Sequence, residues 1–139
     1  MLIENDLIFA FLNKFDKNYR VAWKIFRKIR DGELRVEASS VSLIEMELIY
    51  RSEGRESQLF RDLAALVSFK NILFIPLTPE IALTSVYLRR ELGLTFFDSH
   101  YAATALKLDR KIISFDKVYD GIEGLKRIDP RDLVKIEDY

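Results

Sequence analysis

The feature that most constrains this chain is a repeated change of hydrophobic period. Short apolar runs of strand length fall at residues 1–3, 34–38, 72–76, 111–115 and 125–128. Between them, apolar residues return every three or four positions, as on one face of a helix. Leu7, Ile8, Phe11 and Leu12 begin the first helical stretch, and Asp16 reads as the N-cap of a second. In that second helix Ala22, Ile25, Phe26 and Ile29 make the buried stripe, and Asp31-Gly32 ends it. Ser39 or Ser40 opens a third helix carrying Leu43, Glu45, Glu47 and Leu48. A fourth follows Gly54 and spans roughly residues 57–69. Thr78 caps a fifth, with Pro79 at its first position and Gly93 near its end. Phe97-Asp98-Ser99 opens a sixth, rich in alanine, and Pro130 starts a short helical tail. Strands that alternate with helices predict an α/β fold whose central sheet is mainly parallel and flanked by helices.

With 139 residues and no internal repeat or linker, residues 1–139 read as a single domain. The 49% apolar content suffices for a core. Cysteine is absent, which excludes disulfides and thiolate metal sites and suits a reducing cytoplasm. The single histidine, His100, excludes a His-rich zinc site. Basic and acidic side chains balance at 22 each, so the chain is not a strongly basic nucleic-acid binder. The first residues turn acidic at Glu4, unlike a signal peptide, and no apolar run approaches the ~20 residues that span a bilayer. A cytoplasmic protein without membrane partners is the expectation.

Ligands of a parallel sheet bind beyond the carboxyl ends of its strands, at a topological switch point. Several acids are expected at that edge. Glu4 and Asp6 follow the first strand, Asp116 follows Ile112-Ile113-Ser114-Phe115, Asp98 starts a helix and Glu45 lies about a turn into another. Two carboxylates 5 Å apart repel by roughly 3 kcal/mol at an effective dielectric of about 20, so such a cluster shifts its pKa values or recruits a cation. Oxygen ligands without His or Cys favour Mg²⁺ or Mn²⁺, and that chemistry suits phosphodiester hydrolysis. Each acid also has a plainer role. Asp98 is a plausible N-cap, Asp116 a turn residue, and Glu45 and Glu47 a solvated face. The two glutamates diverge by about 200° around a helix, so they do not share one ion. Asp120, Asp129 and Asp132 look like turn or cap residues. His100, two residues past Asp98, points away from any ligand position of that acid.

One stretch is specific. Leu94-Thr95-Phe96-Phe97-Asp98-Ser99-His100-Tyr101-Ala102-Ala103-Thr104-Ala105-Leu106 resembles the PIN-domain segment in which an acid opens a helix of small residues. Lys111-Ile112-Ile113-Ser114-Phe115-Asp116-Lys117-Val118-Tyr119-Asp120 is similar to that family's strand, Ser/Thr-x-Asp turn and Asp-Lys-x-Phe/Tyr continuation, and Gly124 to Pro130 to its usual close. Ser39 to Glu45 resembles the helix start that supplies a second acid. The resemblance implies a PIN-like three-layer sandwich of the VapC type that binds Mg²⁺ or Mn²⁺ and cuts RNA. Carried over by position, Asp98 becomes a metal ligand, and Glu45 and Asp116 hold metal or orient water. Many relatives are toxins paired with a small antitoxin protein, and many are homodimers.

The N-terminus departs from the pattern. The family places Asp, then Thr or Ser, then Asn or Asp, after the first strand, whereas this chain has Glu4-Asn5-Asp6. Strict register puts Glu4 at the ligand position, but its side chain is one methylene longer. The reading favoured here makes Asp6 the ligand, with Glu4 behind it or as an alternate. A basic rim for the RNA backbone would draw on Arg20, Lys24, Arg27 and Lys117, with Arg89, Arg90 and Lys111 as further candidates. The function expected is a metal-dependent endoribonuclease. The alternative is a catalytically weakened RNA-binding or assembly module on the same fold. A receiver-like phosphoacceptor domain fits poorly, because Asp116-Lys117 is too local a pairing to serve as acceptor and conjugate lysine.

Overall fold

A computed structural model describes residues 1–134 of the chain. Its five strands are β1 (Leu2–Ile3), β2 (Val36–Ser39), β3 (Ile72–Ile75), β4 (Lys111–Ile113) and β5 (Lys126–Ile128). They form one sheet in the order β3-β2-β1-β4-β5, and every pairing is parallel. The helices are α1 (Asn5–Leu12), α2 (Tyr19–Arg30), α3 (Val41–Ser52), α4 (Glu56–Val67), α5 (Pro79–Leu92) and α6 (Phe96–Lys107). Two 3₁₀ turns, Lys117–Gly121 and Pro130–Leu133, follow β4 and β5.

The pleat divides the core in two. Ile3 and Ile113 pack with Leu7, Ile8, Ile25, Phe26, Met46 and Leu66 of α1 to α4. Their neighbours Leu2 and Ile112 pack instead with Ile81, Leu88, Tyr101 and Ala102 of α5 and α6. Successive strand residues point to opposite faces, so β1 and the Ile112-Ile113 part of β4 are apolar and buried on both sides. The result is a three-layer α/β sandwich. Under the first layer Phe11 stacks on Phe26 with ring centroids 4.1 Å apart, and Phe69 meets Phe26 edge-on at 5.3 Å. Each such aromatic pair adds about 1 kcal/mol beyond its buried area.

Local sequence explains most helix ends. Thr78 caps α5 through Ile81 N, with Pro79 behind it, and Gly93 closes that helix at φ 69°. Two expected caps differ. Asp16 accepts from Asn18 N in the turn before α2, and Asn18 occupies the N-cap position. Thr95, rather than Asp98, caps α6 by accepting from Asp98 N. The tail expected from Pro130 appears as the 3₁₀ turn Pro130–Leu133, and its continuation past residue 134 lies outside the described residues. No described helix is long and apolar enough to cross a membrane.

The strand order fixes where chemistry is possible. β1 lies centrally, with β2 on one side and β4 on the other. The chain leaves β1 through α1 and α2 on one face, and it returns to β4 through α5 and α6 on the other. That reversal opens a crevice beyond the carboxyl ends of β1 and β4.

Candidate metal centre

Glu4 is the residue that leaves β1. Its backbone is extended, with N donating to Ile113 O at 3.0 Å, and its carboxylate caps α1 by accepting from Asp6 N. It is 6% exposed. Ser114, buried at the end of β4, places its hydroxyl 3.1 Å from Glu4 Oε2 and 2.8 Å from Asp6 Oδ2. One hydroxyl proton serves those two acceptors, so each carboxylate is only partly satisfied. Asp6 Oδ2 also accepts from Phe115 N at 2.8 Å, whereas Asp6 Oδ1 is buried with no hydrogen-bond partner.

Glu45 approaches from α3. Its Oε1 accepts from Asn5 Nδ2 at 2.7 Å and from the Tyr101 hydroxyl at 2.9 Å. Asp98 lies in the first turn of α6, where its Oδ1 accepts from the Tyr119 hydroxyl at 3.3 Å. Tyr101 and Tyr119 are fully buried.

The electrostatics show that these acids share one environment. Burial pushes the Glu4 carboxyl well above its ordinary range, and the negative charges of Asp6, Asp98 and Glu45 push it further. Burial raises Asp6 as well, against hydrogen bonds from Ser114 and Phe115 that pull it down. Burial, then the Glu45 charge, holds the Tyr101 phenol far up. Burial, then the charges of Glu4, Asp98 and Asp6, does the same for Tyr119. Both hydroxyls therefore keep their protons and act as donors to the acids.

Glu4 and Asp6 share the Ser114 hydroxyl, and the charges of Asp98 and Glu45 reach Glu4. Both Glu4 oxygens accept hydrogen bonds, whereas Asp6 is tied through Oδ2 to the backbone of the chain leaving β4 and keeps Oδ1 without a partner. Asp116 stands apart. It is exposed, and its carboxylate accepts from Val118 N to cap the turn Lys117–Gly121. Its own N donates to Ser114 Oγ at 3.0 Å, so it sits at the rim of the same crevice.

The donor set fits a hard divalent cation. It consists of carboxylate oxygens in a buried pocket with surplus negative charge, and one of them, Asp6 Oδ1, is an orphaned buried acceptor. The carboxylates are gathered but not closed around a point. Among the described residues no three acidic, His or Cys side chains stand close enough together to hold an ion as they are.

The basic candidates divide. Lys117 is exposed beside Asp116, and Arg20 lies near the start of α2, whose Asn18 meets Arg131 at 3.5 Å. Lys24 corrects the expectation. It is 7% exposed and belongs to the buried side of α2, so it offers no rim charge. Arg27 stacks on Trp23 at 5.3 Å in the last turn of α2, the end held by Asn71 at the start of β3, on the far edge of the sheet. Lys111 opens β4 and is likewise at the edge where strands begin. Arg89 is a clasp between helices. Its Nη1 donates to Ser85 and Ser99, both at 2.8 Å, and its guanidinium lies over Phe96. His100 is buried beside Phe96 and Ser85, with Nδ1 2.7 Å from Phe96 O. Arg90 is exposed on α5.

Five residues escaped the reading of the sequence as site residues: Asn5, Tyr101, Ser114, Tyr119 and Arg131. A signal existed for two of them. Tyr101 is three residues after Asp98, on the same side of a helix, and Ser114 is the first residue of the Ser-x-Asp turn. Arg131 reaches the crevice edge from beyond β5, with its guanidinium 5.1 Å from the Phe115 ring.

Comparison with known proteins bears on the fold. Similar structures include a VapBC toxin–antitoxin complex from Rickettsia felis bound to promoter DNA, with 15% identity, TM-score 0.71, and coverage of 91% of this chain and 96% of that one. A toxin–antitoxin complex from Klebsiella pneumoniae has 20% identity and TM-score 0.63, covering 93% and 96%. A VapC toxin from Mycobacterium tuberculosis that cleaves the sarcin–ricin loop has 17% identity and TM-score 0.66, covering 89% and 97%. At these identities the likeness is one of fold. No curated protein matches the chain in sequence. The family model for the PIN domain matches residues 7–125, which include Glu45, Asp98 and Asp116 and begin just after Glu4 and Asp6. With most of its length inside that match, the chain belongs to the PIN-domain family.

Proposed function

We propose that this chain is a metal-dependent endoribonuclease that hydrolyses RNA phosphodiester bonds. The observation that carries the reading is that Glu4 and Asp6 share one buried Ser114 hydroxyl at the switch point of the sheet, where the charges of Asp98 and Glu45 also act on Glu4. Asp6, Glu45 and Asp98 would hold Mg²⁺ or Mn²⁺, with Glu4 alongside and Asp116 at the rim. When bound, a divalent cation makes water acidic enough to attack at neutral pH and neutralises charge on the phosphodiester.

The chain's own residues do the rest. Ser114 holds Glu4 and Asp6 in register with the end of β4, and Tyr119 fixes the face that Asp98 presents. Buried tyrosines and apolar strands wall the crevice from bulk water, which strengthens every charge inside it. Asp116 stands at the mouth, exposed, where it is suited to orient a water or accept its proton. Lys117, beside Asp116, and Arg131, over the Phe115 ring, would supply positive charge at the same edge for the RNA backbone, with Arg20 near the start of α2 as a further candidate.

The likeness to toxins in complex with antitoxins supports a small antitoxin protein as partner. Trp23, Phe60 and Val67 stand exposed on α2 and α4 and give such a partner apolar surface. Ile44 and Leu48 on α3, with Leu83 and Val86 on α5, offer further apolar surface for a homodimer. We place this activity in the cytoplasm, whose reducing conditions suit a chain without cysteine.

The test is RNA cleavage measured across an Mn²⁺ titration, for the unaltered chain and for Asp98→Asn. Cleavage that needs Mn²⁺ and is lost in Asp98→Asn is expected. Full cleavage by the variant in the presence of EDTA would overturn the reading. RNA binding without cleavage at every Mn²⁺ concentration would favour a non-catalytic RNA-binding module instead.

A further inference from the structure

Two uncharged side chains converge on one oxygen of Glu45. Asn5, 1% exposed, is the first residue of α1. Tyr101 is fully buried on α6, one helical turn beyond Asp98. Asn5 Nδ2 lies 2.7 Å from Glu45 Oε1, 3.1 Å from the Tyr101 hydroxyl and 3.1 Å from Ser42 O. The Tyr101 hydroxyl lies 2.9 Å from the same Glu45 Oε1.

The donors in this network have a fixed direction. An amide nitrogen only donates, so the two Asn5 protons are shared among Glu45 Oε1, the Tyr101 hydroxyl and Ser42 O, and the tyrosine's single proton goes to the glutamate. Both routes end on Oε1. Among the described residues no hydrogen bond uses Oε2. A glutamate on a helix otherwise samples many rotamers, and two donors on one oxygen remove that freedom. A group that orients a metal-binding side chain in this way tunes the site without touching the ion.

We propose that Asn5 and Tyr101 are positioning residues for Glu45, holding one carboxylate oxygen so that the other is presented to the bound cation. The proposal rests on the reading of this crevice as a divalent-cation centre. It assigns a task to the middle residue of Glu4-Asn5-Asp6, which lies between two acids and carries no charge. It also explains why a tyrosine hydroxyl is buried in a helix otherwise rich in small residues.

The experiment is calorimetric titration of Mn²⁺ into the full chain, beside thermal melting of the same samples. Tyr101→Phe keeps the ring and loses the hydroxyl, and Asn5→Leu keeps the shape and loses the donor. Each is expected to weaken Mn²⁺ binding about tenfold. In cleavage assays kcat should fall while KM for RNA holds. In a Glu45→Gln background Tyr101→Phe should weaken Mn²⁺ binding no further, because its effect passes through that carboxylate.

A purely structural role would lower the melting temperature and leave the Mn²⁺ affinity of both variants equal to that of the unaltered chain. That result would overturn the proposal. A full tenfold loss from Tyr101→Phe in the Glu45→Gln background would also overturn it. Failure of the unaltered chain to bind Mn²⁺ would instead overturn the metal reading itself, and the proposal with it.

Discussion

Asp6 Oδ2 lies 2.8 Å from the backbone nitrogen of Phe115, so the first turn of α1 is tied directly to the chain leaving β4. This one bond separates the tasks of two acids that are neighbours in sequence. Asp6 spends an oxygen on joining two elements across the crevice. Its other oxygen, Oδ1, stays without a partner, whereas Glu4 uses both oxygens, on Asp6 N and on the Ser114 hydroxyl.

The division of labour predicts a ranking. Asp6→Asn keeps a carbonyl oxygen that accepts from Phe115 N and should keep a normal fold, but it loses the unpartnered Oδ1 and should weaken Mn²⁺ binding at least about tenfold. Glu4→Gln alters a carboxylate whose two oxygens are already hydrogen-bonded and should weaken Mn²⁺ binding less. Calorimetric titration of the two variants reads this out. The opposite ranking would give the leading ligand role to Glu4.

The buried acids make a pH prediction with a definite sign. Glu4 and Asp6 have folded-state pKa values raised above the ordinary 4.5 and 3.8. Between the ordinary and raised values the folded chain binds more protons than the unfolded chain. Their stabilising contribution is therefore complete below those ordinary values and is lost as pH rises through the raised ones. Without metal, Glu4→Gln should melt close to the unaltered chain in acid and above it at neutral pH. A melting difference that stays constant with pH would contradict this.

Metal should reverse that loss. At neutral pH, Mn²⁺ at a hundred times its Kd should stabilise the unaltered chain by about 2.7 kcal/mol. In Asp98→Asn the same Mn²⁺ concentration should stabilise markedly less. Thermal melting with and without EDTA measures both.

Away from the site, Phe26 carries the packing beneath the sheet. It is fully buried, stacked on Phe11 and met edge-on by Phe69. Phe26→Ala should cost about 3–5 kcal/mol in denaturant unfolding. The folded fraction should keep its Mn²⁺ affinity, because no acid of the crevice touches that cluster.

The two edges of the sheet should differ toward RNA. Arg131→Ala and Lys117→Ala, at the crevice edge, should weaken RNA binding and each reduce its salt dependence by about one charge. Lys111→Ala, where β4 begins, should leave both unchanged. Equal effects at the two edges would place the RNA elsewhere.

The fold was largely legible because period reports burial. The apolar runs around Ile72–Ile75 and Lys111–Ile113 read as strands, and the stripe of Ala22, Ile25, Phe26 and Ile29 read as a helix face. Caps were less legible. Thr95 and Asp98 are both good capping types three residues apart, and only backbone geometry chose Thr95. Lys24 was misjudged because a long side chain at the margin of an amphipathic stripe is either snorkelled or buried according to what packs over it.

For the site, the sequence by itself determined which acids stand near the ends of strands and the starts of helices, and so that Glu4, Asp6, Glu45 and Asp98 were available to one crevice. Tertiary structure alone decided their tasks. Asn5 and Glu45 are 40 residues apart in sequence, and Asp6 and Phe115 are 109 apart. No local pattern encodes such pairs. They arise because a parallel sheet with a central first strand brings the exits of β1 and β4 together. There one backbone N–H takes Asp6 Oδ2 and leaves Oδ1 free, while Glu4 uses its two oxygens on Asp6 N and Ser114.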